Sequence, residues 1–209
     1  YALTIAPGAA SGELRRPVDL GVSADYLVVT HSDFSEGAEL LAAHRESRGL
    51  ASMVIDIEDI YDAFSWGRPS PVAVRDFLAW TRETYAPPAP RYALLLGDGT
   101  LDAKGYMGGI NYVPVKLVMT EGGMVASDHW LACFAGDDLM ADISLGRLPV
   151  SSASEALSVA EKIIAYETGV NDLSNRAIFA TETGADMDFG VVTDMVEGAL
   201  PETVEVVSI

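Results

Sequence analysis

Apolar residues along the chain fall into two alternating rhythms, short unbroken runs and longer stretches with helical spacing. Tyr26–Thr30 is a run of strand type, and it leads into a helix carrying Phe34, Leu40, Leu41 and His44. Asp33 with Glu36 three residues later forms a variant capping box for that helix, and Gly49 suits its C′ position. Ala51–Ile57 is a second strand, followed by a short helix over Glu58–Phe64. Ser70-Pro71 places a polar cap before a first-turn Pro, opening a helix with Val74, Phe77, Leu78, Thr81 and Tyr85 as its buried stripe. The Ala86–Pro90 segment stops it, and Tyr92–Leu96 then reads as a central parallel strand, apolar throughout.

Gly97–Gly123 is a long Gly-rich excursion, of the kind that is usually functional. Beyond it, His129–Phe134 and Ala141–Gly146 flank Gly136-Asp137-Asp138, which predicts a β-hairpin. Ser152 and Glu155 form a capping box for a helix running to Glu167. Arg176–Thr181 is a strand, Phe189–Ala199 a helix, and Val204–Ile209 a strand. Strands alternating with helices predict an α/β fold: a mostly parallel sheet with helices on both faces and one β-hairpin insertion. Residues 1–24, rich in Ala, Gly and Pro and without period, read as a linker from an upstream domain.

Charge narrows the partners. The 209 residues hold 31 acidic against 13 basic side chains, a net charge of −18. Only three of the basic residues are lysine, Lys104, Lys116 and Lys162. Nucleic acid needs clustered Lys and Arg and is excluded as a partner, as is an anionic membrane surface. No apolar run approaches the length of a membrane span, so membrane insertion is not expected. The excess of carboxylates suits a solvated acidic surface or calcium sites built from oxygen ligands. One cysteine, Cys133, rules out an internal disulfide framework and a thiolate zinc site.

In an open parallel sheet ligands bind beyond the carboxyl ends of the strands, which selects His31, Asp98 and the Glu182-Thr183-Gly184 turn. His31 reads either as a general base or, better, as a hydrogen-bonded structural residue. Asp98 and Asp102 either hold a hard cation or cap backbone amides in a turn, and so do Asp137 and Asp138. The spacing falls short of a complete calcium loop, which favours the turn. Cys133, between Leu131, Ala132 and Phe134, is expected inside a strand as an inert thiol, with His129 about 13 Å away. Neither a Gly-x-Ser-x-Gly elbow nor a Walker Gly-Lys-Ser/Thr occurs.

The pieces ADYLVVTHSDF, RYALLLGDGTLD, Ser127-Asp128, Asp142–Pro149 and Lys162–Glu167, in this order and spacing, resemble the gingipain family of cysteine peptidases. The resemblance spans about 24–209 and implies a caspase-like fold. Residues 25–170 would form the first subdomain and 171–209 the start of the second, catalytic one, left incomplete. It implies a secreted or cell-surface endopeptidase whose Cys-His dyad lies beyond Ile209 or on a partner chain. Glu182 matches a carboxylate that supports the catalytic His, although a one-residue offset would put Thr183 there. A peptide or protein is the implied substrate, with basic P1 side chains favoured if Asp186 or Asp188 lines the pocket. No cofactor is required by that chemistry, and structural Ca2+ at the aspartates stays open. The alternative is a gingipain-like scaffold without a dyad, or a calcium-binding interaction domain.

Overall fold

A computed structural model describes residues 20, 23–87, 89–102, 106–136, 138–169, 175–181 and 189–208. The chain divides into two compact units, Tyr1–Ile164 and Ala165–Ile209.

The first unit is organised by four strands, β1 (Tyr26–Thr30), β2 (Ser52–Asp56), β3 (Tyr92–Leu96) and β6 (Ser144–Leu148). They form one sheet in the order β2-β1-β3-β6, with every pair parallel. Val28 lies opposite both Val54 and Leu94, and Leu94 opposite Gly146. Strands apolar on both faces need cover on both, and they have it. Leu27, Val29, Ile55 and Leu95 bury one face with Ile57, Ile60 and Tyr61 of α2 (Ile57–Ser65) and Val74, Phe77 and Leu78 of α3 (Pro71–Thr84). Val28, Leu94 and Leu96 bury the other with Ala38 and Leu41 of α1 (Ser35–Ser47) and Ala156 and Ala160 of α5 (Ala153–Thr168).

Local chemistry sets the helix ends. Ser70 Oγ accepts from the Val72 N–H at 3.2 Å with Pro71 in the first turn, as the sequence predicts. Asp56 caps α2 through the Glu58 N–H at 3.0 Å. Ser152 Oγ takes the Glu155 N–H at 3.2 Å, and the Glu155 carboxylate reaches back to the Ser151 N–H at 2.9 Å. The predicted Asp33 cap is replaced by His31, whose Nδ1 accepts from the Asp33 N–H to start a 3-10 turn, Ser32–Phe34. Where α1 meets α5, Gly37 lies so close to Ala156 that a Cβ would stand 2.9 Å from its backbone.

The hairpin is present but displaced from its predicted place. It consists of β4 (Lys116–Thr120) and β5 (Gly123–Ser127), at the end of the segment that reads as a loop and just beyond it. Residues 129–146 split instead into a four-residue helix α4 (His129–Ala132), an acidic turn, and β6, which joins the main sheet beside β3. The period-two alternation was too short to separate a hairpin arm from one helical turn.

The second unit holds β7 (Arg176–Phe179) and β8 (Glu205–Ser208), paired parallel, and α6 (Phe189–Glu197). No residue of α6 is buried, and Val191, Val192 and Met195 are more than half or half exposed. No described helix is long and apolar enough to cross a membrane.

Candidate functional site

The chain leaves β1 to build β2 on one side and returns for β3 on the other, so the switch point lies between the carboxyl ends of β1 and β3. Thr30 Oγ1 donates to Leu96 O there at 2.9 Å, tying the two strand ends together. His31 and Asp98 are the next residues outward. A cleft of about 300 Å³ opens beside them, lined by Asp98, Gly99, Thr100, Ile110, Tyr112 and Ser151 among others.

Two glycines make this end of the sheet possible. Gly97 has φ +147°, and a Cβ there would meet Val113 Cγ2 at 2.9 Å. At Gly99 a Cβ would stand 2.6 Å from Val115 Cγ1 and 2.7 Å from Val113 O. The segment Tyr112–Val115 therefore packs directly on the backbone of Gly97–Gly99, and the Val113 N–H donates to Asp98 O at 3.0 Å.

Arg147 locks that contact. Its side chain is 11% exposed and all five guanidinium N–H groups are used. Nε and Nη2 bind the two Asp128 carboxylate oxygens at 2.7 and 2.8 Å. Nη1 donates to Gly97 O and Val113 O, both at 2.8 Å, and Nη2 also to Pro114 O at 3.3 Å. One arginine thus joins β6, the end of β3, the returning segment and the start of α4. Sequence reasoning gave it no role. Its signal was an arginine in the otherwise apolar strand Ser144–Leu148, which requires an internal counter-charge.

His31 sits in an aromatic cluster, 5.5 Å edge-on to Tyr112 and 6.2 Å from Phe34. With Nδ1 accepting the Asp33 amide, it serves as a structural cap, the reading favoured from sequence. Among the predicted aspartates, Asp102 is buried, and its oxygens accept the Tyr106 and Met107 N–H groups. Asp98 Oδ1 accepts the Gly99 N–H at 2.9 Å, and Asp138 Oδ1 the Met140 N–H at 2.9 Å. Asp137, Glu182, Asp186 and Asp188 lie outside the described residues. Among the described residues no group of three His, Cys, Asp or Glu side chains is arranged to hold a metal ion.

Cys133 is not in a strand. It follows α4 directly, and the helical turn brings its Sγ to 3.4 Å from His129 Nε2. The same Nε2 lies 2.8 Å from Leu139 O. A carbonyl only accepts, so Nε2 carries the hydrogen and cannot take the thiol proton in this arrangement. The neighbours hold α4 in place instead. Arg75 Nη2 donates to Cys133 O at 2.6 Å, and Arg75 and Lys116 flank the Trp130 ring at 4.6 and 4.7 Å. Asp142 completes the turn by accepting the Phe134 and Ala135 N–H groups at 2.7 and 2.8 Å. These backbone bonds, first Ala135 and then Phe134, hold its carboxyl below the usual carboxylate range.

A parallel α/β sheet with helices on both faces, and with its strand ends bridged at the switch point, defines a caspase-like scaffold. The chain belongs to peptidase family C25, whose model matches residues 20–209, in agreement with the gingipain resemblance. Among solved structures it is similar to dimeric latent PorU from Porphyromonas gingivalis, with 24% identity and a TM-score of 0.59. That match covers 70% of this chain and 16% of the other. The complex of Porphyromonas gingivalis RgpB pro- and mature domains matches at 18% identity and TM-score 0.59, over 88% of this chain and 41% of that one. A third structure, described as a protease, matches at 13% identity and TM-score 0.60, over 88% of this chain and 39% of that one. The chain thus spans less than half the length of each. No curated protein sequence matches it.

Proposed function

We propose that this chain is the first part of the catalytic domain of a secreted or cell-surface cysteine endopeptidase. The nucleophilic Cys and its His are supplied by polypeptide outside residues 1–209, either continuous with the chain or on a partner. The observation that carries this reading is the exposure of the second unit. Among the described residues its two-stranded parallel sheet has one helix, which buries none of its residues, and such strands require cover, which further strands and helices would supply. The donor geometry at His129 supports the same reading, because its Nε2, donating to Leu139 O, is not free to receive the Cys133 proton.

In the complete enzyme the thiolate attacks the peptide carbonyl, the His protonates the leaving amine, and backbone amides stabilise the oxyanion. Glu182 is assigned to orient that His, and peptides or proteins are the substrates. The first unit acts as a rigid platform, with Arg147 fixing its carboxyl edge. A dyad-free scaffold is the competing reading.

The test is labelling of the native protein with a peptidyl acyloxymethyl ketone, followed by peptide mapping. The label is expected on a cysteine outside residues 1–209, with hydrolysis unchanged in Cys133→Ala. Label on Cys133 together with loss of activity in that variant would overturn the assignment. An unlabelled, inactive native protein would establish the scaffold.

A further inference from the structure

A cleft of about 530 Å³ in the first unit lies away from the carboxyl edge, between α3, α4 and the start of β6. Arg82 and Arg91 line it, with Ala132, Ile143 and Leu145 giving it apolar walls. Its two carboxylates are already engaged. Asp128 is paired bidentately with Arg147, and Asp142 accepts two backbone N–H groups. Arg82 makes no hydrogen bond or ion pair among the described residues. Arg91 makes a long contact to the nearly buried Asp25 at 3.4 Å and lies over the Tyr92 ring at 5.5 Å, yet stays 58% exposed. In a chain with net charge −18, two weakly committed guanidinium groups at one cleft stand out as anion receptors.

The sheet edge supplies the second element. β6 is the outermost strand beside β3. The Ser144 N–H donates to Arg91 O and Leu148 O accepts from the Gly97 N–H, so even-numbered residues of β6 face β3. By alternation the main-chain N–H and C=O of Leu145 point away from the sheet. Leu145 is half-buried, and among the described residues no other strand pairs with this side of β6.

We infer that this cleft and edge form a binding site for the C-terminal segment of a peptide. The segment adds beside β6 by pairing with Leu145, its terminal carboxylate is held by Arg82 and Arg91, and an aliphatic last side chain enters the Ala132–Ile143–Leu145 wall. The carboxylate answers the two guanidinium groups, the apolar wall answers the last side chain, and the unpaired edge answers the peptide backbone. An acidic side chain alone would use only the first of these.

Fluorescence anisotropy with the 209-residue chain tests it, using a labelled hexapeptide ending in free Leu and the same peptide as its C-terminal amide. The free acid is expected to bind at least about tenfold more tightly than the amide, and Arg82→Gln to lose about tenfold for the acid alone. Arg82 is exposed, so the variant keeps the fold, and Arg91→Gln gives a second reading at an exposed position. Half-molar NaCl is expected to weaken the acid more than the amide. Equal affinities of acid and amide, no effect of either variant, or no binding at millimolar peptide would overturn the site. N-acetyl-leucine competing as well as the whole peptide would overturn the strand pairing and reduce the site to one for small carboxylic acids.

Discussion

The two units use the same local grammar with opposite results. Tyr26–Thr30 and Arg176–Phe179 are both short runs leading toward a helix, and both pair in parallel. In the first unit Leu27, Val28 and Val29 are fully buried, because α1 and α5 cover one face and α2 and α3 the other. In the second, Ile178 is 62% and Met195 73% exposed. Element formation is a local matter, whereas burial depends on what polypeptide is available to cover each face. Among the described residues, the first unit buries both faces of its sheet and the second leaves its helix exposed.

The largest effect expected from a single substitution sharpens that contrast. Phe77, fully buried in the first unit, should cost about 4 kcal/mol when changed to Ala, read by urea denaturation. Met195→Ala in the 209-residue chain should stay within about 0.5 kcal/mol. In a longer native polypeptide that covers α6, the same Met195 change should cost about 2 kcal/mol or more. A large Met195 effect in the short chain would instead mean that α6 already has its cover. Next comes Asp128→Ala, expected to cost about 3 kcal/mol because it strands the nearly buried Arg147 charge. Proteolysis of the variant should open first in the segment 97–115, which Arg147 pins.

The first unit was largely legible in the sequence. The Ser70-Pro71 cap, the Val74–Phe77–Leu78–Thr81 stripe and the strands β1, β2 and β3 needed only periodicity and capping chemistry, whereas β6 read as a hairpin arm. What escaped was set by contacts far apart in the chain. Gly97-Asp98-Gly99 reads as a turn or a cation loop, with the turn favoured, but nothing local shows that its glycines admit Val113 and Val115. Arg147 meets partners 19 to 50 residues away, which no spacing rule anticipates. His129 and Cys133 were separated by a strand assignment, and one helical turn brought them together. The hairpin was expected over 129–146 and lies at β4 and β5 instead, because four to six residues of mixed polarity fit either period.

Smaller effects test how closely the first unit is packed. Gly37→Ala places a Cβ 2.9 Å from the Ala156 backbone, where no flexible side chain can yield, and should cost about 2 kcal/mol. Replacing Val192, on the bare helix of the second unit, with Ala should leave melting unchanged. Asp142→Asn keeps an oxygen acceptor for Phe134 and Ala135 but removes the charge. Because the folded carboxyl titrates below its unfolded value, its contribution is complete above the ordinary carboxylate range and fades as pH falls through the depressed value. Wild type should therefore exceed Asp142→Asn in stability at neutral pH, and the two should converge in acid. A gap that widens on acidification would contradict this.

One expected change in the first unit has the opposite sign. Tyr61 is 1% exposed, and its hydroxyl is the one buried side-chain polar atom without a hydrogen-bond partner among the described residues. Burial, with the Glu58 charge adding to it, pushes the phenol far above its ordinary range, so it stays neutral and its O–H is desolvated without return. Tyr61→Phe keeps the ring that packs in the α2–α3 core and removes only that oxygen. Stability should hold or rise by up to about 1 kcal/mol, since deleting an unpaired buried hydroxyl removes its desolvation cost. A loss above about 1 kcal/mol would mean that the hydroxyl holds a buried water bridging it to another polar group. In that event the core of the first unit would be less dry than its side-chain packing implies.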